Sequence, residues 1–455
     1  MKDLTQGSIA RHLIQMAAVM LIGMMGQTLY YLVDLYFVSG LGPEAIAGVG
    51  AAGNIAFVVL ALTQILNVGT VALISHAAGR KDQPDANLVF NQSLALSALC
   101  GVFVLVAGYL LTAPYLHTVG ADAGMQKAGI TYLYWFLPGL ALQFAMVSMG
   151  AALRGTGIVR PTMTVQVLTV LLNVVLAPVL IAGWGTGHPL GAAGAGLAST
   201  IAIAAGVLML TLYFTRLEKY VGFHSEQWQP NFKYWKRILN IGLPAGGEFF
   251  VMFLMMALTY WLIRDFGAEA QAGYGIGQRM MQAIFLPAMA VAFSVAPVAG
   301  QNFGARLPER VREAFRAAVL IETIVMVVIT LLAQIAPDVF IRAFSTDPKV
   351  IEVGTEFLRI ISWNFIGSGI IFCCSGLFQA MGNTWPALLS GASRLVIFGV
   401  PAVWLSMQPS FQLRQVWEVS VATVIIQAII SYVLLKAEMR KKLSFVASPV
   451  TSSLA

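Results

Sequence analysis

Long runs of apolar residues, each about the length that crosses a bilayer as a helix, recur from one end of the chain to the other. The pattern predicts twelve helical spans, near 13–37, 48–73, 88–112, 128–150, 161–183, 191–214, 238–263, 274–298, 315–336, 351–376, 386–407 and 416–435. Short polar stretches separate them and hold most of the charge. The fold class that follows is an all-α integral membrane protein with almost no soluble part.

A second, longer period organises the spans. Shifted by 225 residues, GPEAIAGVG (42–50) falls on GAEAQAGYG (267–275) with six of nine positions identical. The same ungapped register lays Gly79 on Gly304, Asp122 on Asp347, Gly129 on Gly354, Gly157 on Gly382 and Pro161 on Pro386. Six spans separate each residue from its counterpart, so the halves are parallel repeats related by an axis along the membrane normal. The expected organisation is an N-terminal six-helix bundle (1–214), a cytoplasmic linker (215–237), a C-terminal six-helix bundle (238–445) and a disordered tail (446–455). Two such bundles around a central cleft suit alternating access.

Composition agrees: 58% of residues are hydrophobic and 10% charged, with a mean hydropathy of +0.79, whereas a soluble domain carries about 25% charged residues. The net charge of +7 matters only through its distribution. One side of the membrane receives 19 Lys and Arg, among them Arg80, Lys81, Arg154, Arg160, Arg306 and Lys441; the other receives Lys127, Arg264, Arg342, Lys349 and Arg414. Positive-inside bias places both termini in the cytoplasm and reads the basic charge as topology, with no nucleic-acid partner. Cys100, Cys373 and Cys374 fall inside spans and form no CxxC pair, so neither a disulfide framework nor a metal site is expected. The first apolar run is too long for a cleavable signal peptide and lacks a small-residue cleavage site.

Most motifs have bland readings. GVGAAG (48–53) matches a dinucleotide fingerprint, but no strand precedes it and residues 54–81 contain no acid, so close helix packing explains the glycines better. No GxxxxGK[ST] loop is present, and His12, His76, His117, His188 and His224 are scattered. Asn91-Gln92-Ser93 has the form of a glycosylation sequon but lies at the cytoplasmic face. No catalytic constellation or cofactor motif emerges, so an enzyme is not expected.

Asp34 stands apart, as the one formally charged residue between Leu13 and Val38. Intramembrane acids are costly and usually face a bundle interior or a water-filled cavity. Gln27, Tyr30 and Asp34 share one helical face, and Gln166 and Asn173 share a face of the fifth span. Amides can simply join helices; an acid buried for that purpose would waste its charge. In the second half Glu248, Arg279, Glu322, Arg359 and Arg394 read as further buried charges, all but Glu322 clearly within spans. Glu248, Glu322 and Arg394 lie at similar depth, where an ion pair is the structural expectation. Arg279 and Glu356 sit nearer the outer face as a second possible pair. Glu248 is the candidate for a second functional acid.

Three further segments point to a family. LVDLYFVSGLG, LRGTGIVRP (153–161) and GQNFGA (300–305) resemble, in order and spacing, the first-helix ending, the fourth-to-fifth-helix loop and the loop after the eighth helix of the multidrug and toxic compound extrusion (MATE) family. The resemblance covers nearly the whole chain. It implies a secondary antiporter of the inner membrane, a monomer in the lipid bilayer, exporting bulky and often cationic small organic molecules. The coupling ion would be the proton, with sodium as the alternative, and no other cofactor. Asp34 falls on the family's first-helix acid and Asn173 on its fifth-helix asparagine, giving Asp34 and Asn173 as ion-coupling candidates. Gln27, Tyr30, Asp34, Gln166 and Glu248 are the substrate-binding candidates. Two positions depart from the pattern: Ala177 replaces a second polar residue, which weakens the case for sodium, and Val19 stands where relatives often carry the proline that Pro244 keeps. Gly23 and Gly26 are the expected source of first-helix flexibility. The rival reading is a lipid-linked-precursor flippase of the same wider superfamily, which would commonly bring extra helices and a cationic cleft.

Overall fold

The computed structural model describes residues 1–120 and 122–445; the expected tail at 446–455 lies outside them. The first half consists of α1 (Ile9–Ser39), α2 (Pro43–Gly79), α3 (Gln83–Val119), α4 (Ala123–Gly155), α5 (Arg160–Ile181) and α6 (Ala192–Arg216). The second contains α7 (Phe232–Ile263), α8 (Ala268–Ile284), α9 (Leu286–Gly304), α10 (Pro308–Ile335), the short α11 (Pro337–Arg342), α12 (Pro348–Ile361), α13 (Asn364–Ala380), α14 (Trp385–Ser406) and α15 (Leu413–Lys442). No strand occurs among the described residues. Ten helices are each long and apolar enough to span; α8 with α9, bent by 44°, and α12 with α13, bent by 57°, complete twelve.

The two breaks have different causes. Pro287 opens α9 and removes a backbone donor, so the helix cannot run through Phe285. At the second break there is no proline, and α10 supports the loosened turn instead. Gln334 donates through Nε2 to the Arg359 carbonyl and to Ser362 Oγ, both at 2.6 Å, and Thr330 Oγ1 donates to the Ser362 carbonyl at 3.2 Å. Irregular backbone at membrane depth persists where protein satisfies its polar groups.

The 225-residue repeat is physical. Gly48 of α2 meets Gly129 of α4, where a Cβ would lie 2.7 Å from the Gly129 nitrogen; their counterparts Gly273 and Gly354 meet in the same way between α8 and α12, at 3.1 Å. Asp122 and Asp347 both cap helix starts, accepting from backbone N–H groups of the first turn. Four helices at one end of the molecule stop through one device, a left-handed residue followed by a backbone N–H that bonds five residues back. The left-handed residues are Lys81, Gly157, Arg306 and Gly382, with φ of 58°, 81°, 57° and 70°. The closing bonds run Asp82 to Ala77, Ile158 to Leu153, Leu307 to Asn302 and Asn383 to Phe378, at 2.8–3.0 Å. This end carries the Lys- and Arg-rich loops and is called the basic end below.

At the basic end the halves close on each other. Gly79 and Gly304, repeat counterparts, face one another across the boundary: a Cβ on Gly79 would stand 2.0 Å from the Gln301 carbonyl oxygen, and one on Gly304 would stand 2.2 Å from that of His76. Gly69 against Ile238 and Gly242 against Ile65 continue the contact along α2 and α7. The N-terminal segment lies across the junction as a latch. Lys2 N–H donates to the Thr156 carbonyl in the first half, Leu4 N–H donates to Gln301 Oε1, and the Leu4 carbonyl accepts from Asn302 Nδ2. Leu4 is fully buried, with the basic-end residues Leu13, Met16 and Met20 of α1, in a core shared with α9 and α10. The first helix of each half is thus seated partly in the other half, Ile238 and Ile241 of α7 belonging to the first half's core. These contacts seal the two bundles together at the basic end.

The linker is shorter than the expected 215–237, since α6 continues to Arg216 and α7 starts at Phe232. Polar but helical residues at both ends hid those turns from a hydropathy reading. Asn91 and Gln92, the supposed sequon, hold the linker to α3. Asn91 Nδ2 donates to the Gly222 carbonyl, its Oδ1 accepts from His224 N–H and Trp228 Nε1, and Gln92 Nε2 donates to the Gln229 carbonyl.

Candidate functional site

Helices α1 and α5 both start at the basic end and pack side by side. Gly23 permits the approach, since a Cβ there would lie 2.3 Å from Met163 Sδ and 3.2 Å from Gln166 Oε1. Gly23, one of the two glycines expected to give the first helix flexibility, is packed against α5 in this crossing. One turn on, Gln166 Nε2 donates to Gln27 Oε1 at 3.2 Å. The two predicted amides therefore join α1 to α5 through each other.

Seven residues beyond this pair, on both helices, stand Asp34 and Asn173. Seven residues return each helix to nearly the same face, so the acid and the amide share one level of the α1–α5 interface. Asp34 is 8% exposed and Asn173 fully buried. Asp34 Oδ1 and both polar atoms of Asn173 are buried without a hydrogen-bond partner. Such orphaned groups are rare in native interiors and mark strain, function or an occupant such as water or an ion. Around them, Tyr30 OH is hydrogen-bonded to Ser199 Oγ of α6, and buried Tyr132 of α4 lies close enough to feel the charge of Asp34. Ser199 and Tyr132 carry no sequence pattern that singles them out; only the packing of α4 and α6 brings them here.

The second half is arranged differently. Glu248 of α7 is half-buried and accepts from Ser375 Oγ of α13 at 3.1 and 3.3 Å. The expected ion pair with Arg394 does not form: among the described residues neither Glu248 nor Glu322 has a basic group within 4.0 Å. Arg394 Nη2 instead donates to Ser420 Oγ at 3.2 Å, beside Asn364. Arg279 and Arg359, read as buried, are exposed, and no Arg279–Glu356 ion pair occurs among the described residues. Of the GVGAAG glycines only Gly48 makes a close helix crossing; Gly50 and Gly53 face open space.

Two parallel six-span bundles around a cleft, with acids set in the bundle walls, define a secondary-transporter architecture. The chain belongs to the MatE family, whose model matches residues 20–179 and 244–405, one block in each half. It is 24% identical over 392 residues to the probable multidrug resistance protein YoeA of Bacillus subtilis, covering 83% of this chain and 82% of that protein. It is also 24% identical over 413 residues to the FAD transporter of Shewanella oneidensis, covering 88% and 89%. A solved structure described as the outward-facing conformation of a multidrug resistance MATE family transporter superposes with a TM-score of 0.91 at 24% identity, over 98% of both chains.

Proposed function

We propose that this chain is a multidrug efflux antiporter of the plasma membrane that exports bulky, often cationic organic molecules in exchange for protons. One observation carries the reading: Asp34 and Asn173 leave three orphaned polar atoms at a single level of the α1–α5 interface. A carboxylate so placed takes a proton or a cation in turn, and with Ala177 in place of a further ligand it is a poor sodium cage, since sodium prefers several oxygens. The relatives' names, multidrug resistance and FAD transport, support an organic substrate without choosing one. Positive-inside bias supports a cytoplasmic basic end, and the backbone contacts at Gly79 and Gly304 would then seal the bundles on the cytoplasmic side. A membrane potential then supplies about 2.3 kcal/mol per charge per 100 mV.

The test is Asp34→Asn in proteoliposomes with separately imposed pH and sodium gradients. The substitution keeps shape and hydrogen bonding but removes the titrating proton, so drug–proton exchange is abolished while insertion and folding persist. Undiminished exchange driven by the pH gradient would refute the coupling role. Exchange driven by the sodium gradient alone would replace the ion. Movement of a lipid-linked precursor in place of drugs would favour the flippase.

A further inference from the structure

Glu322 belongs neither to the Asp34 level nor to the Glu248–Ser375 pair. It sits midway along α10, 1% exposed, and both carboxylate oxygens are buried without a hydrogen-bond partner. Gly369 of α13 makes room for it: a Cβ there would stand 2.7 Å from Glu322 Cγ and 3.0 Å from its Oε1. Ala318 and Met326, one turn away on either side, are fully buried on the same face. The helices packed on α10 offer no counter-charge at this depth. α9 has no ionisable residue, α13 has only Cys373 and Cys374, α1 keeps Arg11 and His12 in its first turn and its tyrosines and Asp34 in its outer turns, and α15 meets α10 through Tyr432, which stacks on Phe315 two turns nearer the basic end. The charged residues of α11 and α12 lie beyond the break at Ser362. In such a place the interior penalises the charged carboxylate far more than it penalises the neutral acid.

We propose that Glu322 is a second proton-binding carboxylate of the transport cycle, loaded in this conformation and emptied when α13 moves. The inference rests on the proton-antiport reading above. α13 is the basic-end half of a broken span, hinged at Ser362–Trp363 by 57° and supported there by Gln334 and Thr330 of α10 itself. One face of α13 covers Glu322 through Gly369, and another holds Glu248 through Ser375. A shift of this half-helix therefore uncovers one acid and releases the other together. On uncovering, the O–H bond of the carboxyl breaks, the proton passes to water at the basic end, and the carboxylate keeps the electron pair. The return movement takes a proton from the outer side and restores the O–H bond.

The experiment combines two measurements on purified Glu322→Gln, with Glu322→Met as a second neutral variant should the amide fail to insert. Infrared difference spectra of the wild type minus the variant should contain the carbonyl stretch of a protonated carboxylic acid; its absence overturns the proposal without reference to transport. In proteoliposomes, the number of protons exchanged per drug molecule should fall by one while drug export continues. An unchanged ratio overturns the coupling role of Glu322 and leaves the antiport reading intact. A wild type that moves no protons with drug overturns both, and the Asp34→Asn assay identifies that case separately.

Discussion

The seal at the basic end makes a quantitative prediction at Gly79. Replacing Gly79 by Ala adds a Cβ 2.0 Å from the Gln301 carbonyl oxygen and 3.0 Å from the Ala305 nitrogen. Real Cβ contacts fall below 3.0 Å essentially never, so backbone must retreat by about 1 Å against backbone, with no flexible side chain to absorb the change. Overpacking of this kind costs about 1–3 kcal/mol. The gain of about 1 kcal/mol in helix propensity on going from Gly to Ala applies to both conformations and cancels from their ratio. The closed population at the basic end should therefore fall about 5–150-fold relative to the open one. A reporter is available in Ser75, fully buried beneath Gly300 at the same junction. With Cys100, Cys373 and Cys374 replaced, Ser75→Cys reacts with a water-soluble maleimide only when the junction opens. Its labelling should accelerate at least fivefold in Gly79→Ala and remain at the parent rate in Gly50→Ala, where a Cβ meets open space. Equal labelling of Gly79→Ala and its parent, with both folded, would show that this crossing does not hold the halves together.

Two further substitutions probe the same end. Gln301→Leu removes the acceptor of Leu4 N–H and the donor to the Gly155 carbonyl, at 2.9 and 3.0 Å. It should lower stability by about 1–3 kcal/mol for each buried group left unpaired, read as an earlier thermal unfolding of the purified protein; an unaltered midpoint would mean that the N-terminal latch contributes nothing. Asn91→Leu frees the linker from α3 at four of its residues, Gly222, His224, Gln227 and Trp228. Trypsin should then cut faster at Lys219 or Lys233, and unchanged digestion would show that other contacts hold the segment.

Much of this architecture was legible because its signals are local. The spans follow from apolar runs, and the helix stops at the basic end repeat in the sequence as Lys81 with Arg306 and Gly157 with Gly382. The face shared by Gln27 and Asp34, and that shared by Gln166 and Asn173, follows from helical spacing alone. What stayed hidden depends on which helices meet. Ser199 and Tyr132 complete the Asp34 site only because α4 and α6 close over it. The break after Ile361 has no proline to announce it; its support comes from Gln334, 28 residues before Ser362 in the chain. The supposed ion pair failed because equal depth in the membrane does not fix which face of a helix a charge occupies.

The repeat also separates what the scaffold needs from what the chemistry needs. At the 225-residue offset the glycines of the helix crossings recur: Gly48 with Gly273, Gly129 with Gly354, and Gly79 with Gly304. Five of the six meet backbone within 3.1 Å of a built Cβ and Gly354 meets the Ile341 side chain at 2.9 Å, so both halves need the same small residue. The buried acids do the opposite. Asp34 falls on Thr259, Glu248 on Gly23 and Glu322 on Ser97, and Asn173 falls on Phe398. Two copies of one bundle thus share a frame and differ in every buried carboxylate named here. On the proposed proton-antiport reading, a symmetric frame would let the halves rock about a common axis with matched contacts at Gly79 and Gly304. On the same reading, unequal acids would let protonation change the energy of one wall of the cleft without an equal change in the other. If both walls carried the same acids at the same level, loading them would bias neither bundle against its partner.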